Sequence, residues 1–63
     1  MSRNMLKALR KGKGLTQAKV ANELQISLSH YKNMESGSRN TTLNNARKLS
    51  LLFDRDIEDI FFN

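Results

Sequence analysis

The sequence lacks cysteine and proline, and it contains only three glycines among 63 residues. Without cysteine the chain has neither disulfides nor thiolate metal sites, which is compatible with a reducing compartment. No uncharged run reaches the ~20 residues that a membrane-spanning helix needs. No continuous apolar stretch follows the first residues, so we expect no signal peptide. The expectation is a cytoplasmic protein with one domain over residues 1–63.

Acidic side chains are scarce in most of the chain. There are 11 Lys and Arg against 6 Asp and Glu, which gives a net charge of +5. Residues 1–50 contain ten of the basic residues but only two acids, Glu23 and Glu35, whereas residues 51–63 are acidic. This asymmetry favours a body that faces a polyanion such as nucleic acid. A basic surface that only keeps the protein soluble explains the same charges, so composition leaves both readings open.

No alternation of apolar and polar residues extends beyond a few positions, so we predict an all-α protein. Capping residues and glycines predict five helices, at about residues 3–11, 17–24, 28–36, 43–53 and 57–61. The predicted N-caps are Ser2, Thr16, Ser27, Thr42 and Asp56. The residues predicted to face inward are Met5, Leu6, Leu9, Val20, Ala21, Leu24, Tyr31, Met34, Leu43, Ala46, Leu49 and Phe53.

The second and third predicted helices are joined by only three residues, 25–27. Two short helices joined by a tight turn are the signature of a helix-turn-helix, here over about residues 17–36. Ala21 is small enough for the helices to cross closely, and Ile26 supplies a buried anchor for the turn. Tyr31 and Met34 face inward, which leaves the opposite face free to enter a DNA major groove. That opposite face carries Leu28, Ser29, Lys32 and Asn33.

Over about residues 5–61 the sequence resembles the lambda-repressor/Cro type of helix-turn-helix regulator, the XRE family. The matching residues are Leu9-Arg10, Gly14-Leu15-Thr16-Gln17, Ala21, Leu24, Ile26-Ser27, Glu35, Gly37 and Ile57-Glu58-Asp59-Ile60-Phe61. The resemblance implies a compact five-helix bundle that binds operator DNA, usually as a homodimer.

The chain departs from the family pattern at four positions. The turn usually has glycine where this chain has Gln25, so we expect Gln25 to adopt a left-handed backbone conformation at a cost of ~1 kcal/mol. Proline is usual at the position of Thr41, glycine or asparagine is common at Asp54, and the position of Arg55 is usually apolar. These changes leave the expected DNA-facing surface in place, but they indicate a divergent member of lower stability.

The residues expected to contact bases lie at the start and on the outer face of the third helix. Asn33 can pair with adenine through two hydrogen bonds, and Lys32 can reach guanine or a phosphate. Leu28 meets a thymine methyl group or packs on the turn. The full expected set is Ser27, Leu28, Ser29, Lys32 and Asn33.

The resemblance also implies contacts to the DNA backbone. Gln17 reaches a phosphate or braces the recognition helix, and Arg10 forms a salt bridge with Glu35 that aims the arginine near the backbone. His30 is a phosphate contact or simply exposed, because a lone histidine builds no zinc site. The loop after the third helix contacts phosphates or is only solvated. The full expected set is Arg10, Thr16, Gln17, His30, Ser36, Ser38, Arg39 and Asn40.

The C-terminal end is more apolar than a small core needs, since it contains Leu51, Leu52, Ile60, Phe61 and Phe62. These side chains complete the core of the monomer, or they form a two-fold interface. The residues predicted for such a homodimer interface are Leu51, Ile60, Phe61 and Phe62.

The favoured function is a sequence-specific DNA-binding regulator, most simply a Cro-like repressor that occupies a palindromic operator. The alternative is a protein-interaction module, such as an antitoxin, whose apolar end binds a protein partner. An enzyme is disfavoured because the sequence offers no convincing nucleophile, base and pocket. We expect no catalytic residue, no metal and no cofactor.

Overall fold

The computed structural model describes residues 4–38 and 41–61. These residues form five α-helices, and within these two ranges there is no strand. The helices are α1 (Leu6–Gly12), α2 (Gln17–Leu24), α3 (Leu28–Ser36), α4 (Leu43–Phe53) and α5 (Ile57–Phe61). The predicted all-α class and five-helix architecture are confirmed.

The first helix begins three residues later than predicted. Asn4 precedes it, and the Oδ1 atom of Asn4 accepts a hydrogen bond from the backbone N–H of Leu6 at 3.1 Å. The side-chain amide of Asn4 donates to the carbonyl of Met34 at 3.0 Å. Asn4 therefore joins the start of α1 to the end of α3, and Ser2, the predicted cap, lies outside the described residues.

The caps of the next three helices are the predicted ones. The hydroxyl oxygens of Thr16, Ser27 and Thr42 each accept a hydrogen bond from the backbone N–H three residues further on, at 3.1, 3.0 and 3.3 Å. Each cap satisfies an N–H group that has no partner inside its helix and stabilises the fold by about 1 kcal/mol. These local bonds explain why α2, α3 and α4 begin where the sequence predicts.

The core contains a fully buried side chain from every helix. Leu6, Val20, Tyr31, Leu49 and Ile60 have no exposed surface. Five more buried apolar residues surround them: Ala21, Leu24, Met34, Ala46 and Phe53. Each helix is thus held by its inner face, since helices this short are marginal without packing.

Three apolar residues differ from the sequence prediction. Met5 and Leu43, which were predicted to face inward, are 37% and 62% exposed. Met5 precedes the first helical residue, and Leu43 occupies the first turn of α4, beyond the reach of the core. Ile60 was predicted for a dimer interface, but it is fully buried and is not available for contact with a second chain.

The turns use left-handed residues. Gln25 has φ of 59°, as predicted, and Asp54 has φ of 53°. A residue with a Cβ atom pays about 1–2 kcal/mol for this conformation, whereas glycine adopts it readily. Both turns therefore contain strain that the surrounding packing overcomes.

We predict that Gln25→Gly stabilises the protein by about 0.5–1 kcal/mol, because glycine removes the strain but adds entropy to the unfolded chain. Urea denaturation measures the change. Asn22→Gly is the matched control, since Asn22 is exposed within α2 and glycine there is destabilising. Equal destabilisation by both variants would contradict the prediction.

Candidate nucleic-acid interface

The turn between α2 and α3 is held by backbone bonds and by packing. The backbone N–H of Ile26 donates to the carbonyl of Ala21 at 3.0 Å, and that of Gln25 donates to the carbonyl of Asn22 at 3.1 Å. Ala21 is 3% exposed, and Ile26 packs against the core. Ala21 and Ile26 occupy the positions that a helix-turn-helix requires of them, so α2 presents α3 at a defined angle.

The two faces of α3 have different surroundings. Tyr31 and Met34 are 0% and 1% exposed and fill the core. The opposite face is open, and its members Leu28, Ser29, Lys32 and Asn33 are all exposed. Ser27 is exposed as well, although its hydroxyl oxygen already caps the helix. The structure thus brings the five predicted base-reading residues together at one free surface.

Glu35, in the last turn of α3, accepts hydrogen bonds from two other helices. Its Oε2 atom accepts from Nε of Arg10 at 3.0 Å, and its Oε1 atom accepts from Nη2 of Arg10 at 3.1 Å and from Nε2 of Gln17 at 3.3 Å. The Arg10 and Glu35 side chains are only 11% and 6% exposed. The expected salt bridge is therefore present, in the two-pronged geometry that makes such pairs strong, and it joins α1, α2 and α3.

The guanidinium of Arg10 makes a further hydrogen bond inside the protein. Its remaining Nη1 group donates to the carbonyl of Leu15 at 2.9 Å. Three of its nitrogens are thus bonded inside the protein, and the residue is 9% exposed. These bonds hold the guanidinium in a fixed position between α1 and α3, and its expected contact with the DNA backbone stays a prediction.

Gln17 was expected either to reach a phosphate or to brace the recognition helix. It is half-buried, and its amide nitrogen donates to Glu35. Gln17 is the first residue of α2, so this bond links the far ends of α2 and α3, opposite the turn that joins them. The geometry supports the bracing role.

The remaining expected contacts occupy different environments. Thr16 is exposed, and His30 is half-buried. The hydroxyls of Ser36 and Ser38 donate to the carbonyl of Asn33 at 3.0 and 3.3 Å, so a phosphate would have to compete with that carbonyl for them. Arg39, Asn40 and Phe62 lie outside the described residues. No group of residues in the described part of the chain is suited to hold a metal ion.

Sequence reasoning missed one part of this cluster, the hydroxyl of Tyr31. The oxygen is buried, and in the described structure it has no partner in hydrogen-bond geometry, yet it lies close enough to Glu35 to interact electrostatically. Burial raises the pKa of Tyr31, and the negative charge of Glu35 raises it further. Tyr31 had been recognised only as an apolar core position, and nothing in the local sequence signals the carboxylate beside it.

The pKa of Glu35 reflects two opposing influences. Burial alone would raise the pKa, but the hydrogen bonds and positive charge of Arg10 outweigh burial, with a smaller contribution from the nearby Tyr31 hydroxyl, so the pKa lies below its ordinary value. The same hydrogen bond raises the pKa of Arg10. Both shifts favour the charged forms, so the ion pair persists at neutral pH.

Comparison with known proteins identifies the architecture. The sequence profile of a helix-turn-helix family matches residues 6–60. The chain belongs to the lambda-repressor/Cro-type helix-turn-helix family. Members of this helix-turn-helix family are DNA-binding regulators and not enzymes, and the chain is accordingly a DNA-binding regulator. A search of curated proteins returned no match.

Among the described residues, no helix has the length and apolar character needed to cross a bilayer.

We predict a pH dependence of stability that originates in Glu35. Because folding lowers the pKa of Glu35, its contribution is fully present above the unfolded value of about 4.3 and is lost as the pH falls through the lower folded value. Denaturation as a function of pH should show this loss in the parent and not in Glu35→Gln.

Glu23→Gln is the matched control for this measurement. Glu23 pairs with Lys19 at 3.2 Å, but both side chains are about half exposed, and such pairs contribute little. The control should follow the parent curve. The prediction is wrong if the stability of Glu35→Gln falls with decreasing pH as much as that of the parent.

Proposed function

We propose that the protein is a Cro-like transcriptional repressor that binds a palindromic operator as a homodimer, with α3 in the major groove. The observation that carries the proposal is the division of α3 into a buried face and an exposed face of mostly short side chains. An α-helix with its side chains is ~10–12 Å across, and the major groove is ~12 Å wide. The exposed face therefore fits against base edges.

Asn33 and Lys32 supply the polar groups for this reading. Both are exposed on α3, and the side-chain amide of Asn33 makes no hydrogen bond to any described residue. An asparagine amide both donates and accepts, which matches N6 and N7 of adenine, and a lysine ammonium matches the acceptors of guanine. Leu28 is 40% exposed and offers a methyl-bearing surface for thymine.

The homodimer is supported by exposed apolar surface at the acidic end of the chain. Leu51 is 84% exposed on α4, and Phe61 is only partly buried. Since Ile60 is inside the core, the interface would use Leu51 and Phe61. A two-fold axis there would place two copies of α3 on successive major grooves, ~34 Å apart.

The same exposed leucine favours a second candidate, an antitoxin-like module that binds a protein partner. Single exposed leucines are common, so Leu51 by itself decides little. A Leu51→Ser variant separates the two candidates. If operator binding loses its dimeric character, Leu51 serves the homodimer; if binding is unchanged, and a stoichiometric protein partner is lost, the antitoxin reading is correct.

Selection of bound duplexes from a random pool tests the main proposal. A sequence-specific dimer should enrich a palindrome whose half-sites are about one helical turn apart. Enrichment of a single half-site would overturn the dimer and retain specific reading. Failure of every duplex to outcompete random DNA would overturn the proposed function.

We predict that Asn33→Ala relaxes specificity at one base position of the selected operator, at a cost of about 1–3 kcal/mol in binding. The loss of specificity is measured as the affinity of each protein for a panel of operators that differ from the selected one by a single base pair. Asn44→Ala is the matched control, because Asn44 is an exposed amide on α4. Uniform weakening on all duplexes by Asn33→Ala would show that Asn33 does not read a base.

We also predict that Glu35→Ala weakens operator binding. By charge alone, removing an acid from a DNA-binding surface strengthens binding, so weakening shows that Glu35 acts by orienting α3. Glu23→Ala removes the same charge from the exposed face of α2 and should bind as well as the parent or better. The measurement is the operator affinity of the parent and the two variants at equal salt concentration. Tighter binding by both variants would contradict the prediction.

A further inference from the structure

The ion pairs of residues 1–50 leave most of the basic side chains uncompensated. The two acids of this segment each have a partner: Glu35 pairs with Arg10 at 3.0 Å, and Glu23 pairs with Lys19 at 3.2 Å. Arg10 is therefore neutralised inside the protein. Among the described residues, the other cations of this segment form no ion pair, and two of them, Lys11 and Lys13, lie one and three residues after Arg10.

The segment 11–16 is held beside the end of α3. It begins after Arg10 and ends before Gln17, and both of these residues donate to the same atom, Oε1 of Glu35, at 3.1 and 3.3 Å. Leu15 is tied to Arg10 twice, since its N–H donates to the carbonyl of Arg10 at 3.1 Å and its carbonyl accepts from Nη1 of Arg10. The segment is thus anchored at both ends to the last turn of the recognition helix.

Lys11 and Lys13 are the cations of this anchored segment. Both are exposed. Lys13 stands between Gly12 and Gly14, and a Cβ atom built on either glycine would meet nothing within 4 Å. Both lysines are thus exposed on a segment whose backbone is anchored, and the two glycines beside Lys13 add no side chain that would cover it.

We infer that Lys11 and Lys13 form a phosphate-binding site for the DNA backbone, beside the Arg10–Glu35 pair. The inference rests on the proposed binding of α3 in the major groove. The sugar-phosphate strands form the walls of that groove, so a segment fixed beside the end of α3 faces one strand. A lysine ammonium is a compact charge on a flexible stem and suits a phosphate without demanding one geometry.

The salt dependence of DNA binding tests this site. Each lysine that neutralises a phosphate contributes about 0.9 to the slope of log K against log salt. Lys11→Ala and Lys13→Ala should each reduce the steepness by about that amount, which corresponds to roughly five-fold weaker binding at about 0.15 M salt. The preference for the selected operator over random DNA should stay the same, because phosphate contacts carry no sequence information.

Arg55→Ala is the matched control. It removes the same unit of charge, but Arg55 is exposed in the turn between α4 and α5, within the acidic end of the chain. Thermal unfolding of all three variants establishes that each is folded. The inference is supported if Arg55→Ala has the same slope of log K against log salt as the parent, and both lysine variants have reduced slopes.

Two results overturn the inference. One is an equal reduction in slope for Arg55→Ala and the lysine variants, which shows an effect of net charge only. The other is a slope of log K against log salt that is the same for both lysine variants as for the parent, on a duplex that the parent binds selectively. That result would show that Lys11 and Lys13 bind no phosphate, and it would leave the proposed function intact. If the parent prefers no duplex, the proposed function itself fails.

Discussion

The carboxylate of Glu35 is the contact on which the geometry of the DNA-facing surface depends. It accepts three hydrogen bonds, two from Arg10 on α1 and one from Gln17 on α2, and Glu35 itself lies in the last turn of α3. The turn at residues 25–27 joins α2 and α3 at one end, and this carboxylate joins them at the other. A bond far from a hinge resists rotation about that hinge most effectively, so the pair of helices is held as a rigid unit. Leaving one of these nearly buried groups without its partner costs on the order of 1–3 kcal/mol.

This arrangement also determines which charges are free for DNA. Arg10 is bonded to Glu35 and to the carbonyl of Leu15, so its charge is balanced inside the protein. The net charge of the segment is unchanged by this pairing, because each internal pair removes one cation and one anion. The basic surface is consequently formed by side chains that have no ion-pair partner among the described residues, whereas Glu58 and Asp59 make the first turn of α5 acidic.

Local sequence signals predicted the helices well, for a physical reason. A cap such as Thr16 or Ser27 bonds to an N–H three residues away, and a helical face is defined by residues three and four apart, so both are properties of a short stretch of chain. The left-handed conformation of Gln25 was predicted from the resemblance, because the family usually has glycine at this position of the turn. The inward position of Tyr31 and Met34 followed from the period of the helix alone.

The sequence by itself determined the helical class, the boundaries of α2 to α5 within about a residue, the turn and the face of α3 that stays free. The resemblance implied the bridge between Arg10 and Glu35, whereas local patterns did not, because the two residues are 25 positions apart. Only the tertiary structure decided that Gln17 braces the same carboxylate and how far the core extends. Leu43 and Ile60 both fit an apolar pattern, yet one is 62% exposed and the other is fully buried. Periodicity states which side of a helix faces inward, whereas burial depends on whether another helix reaches that turn.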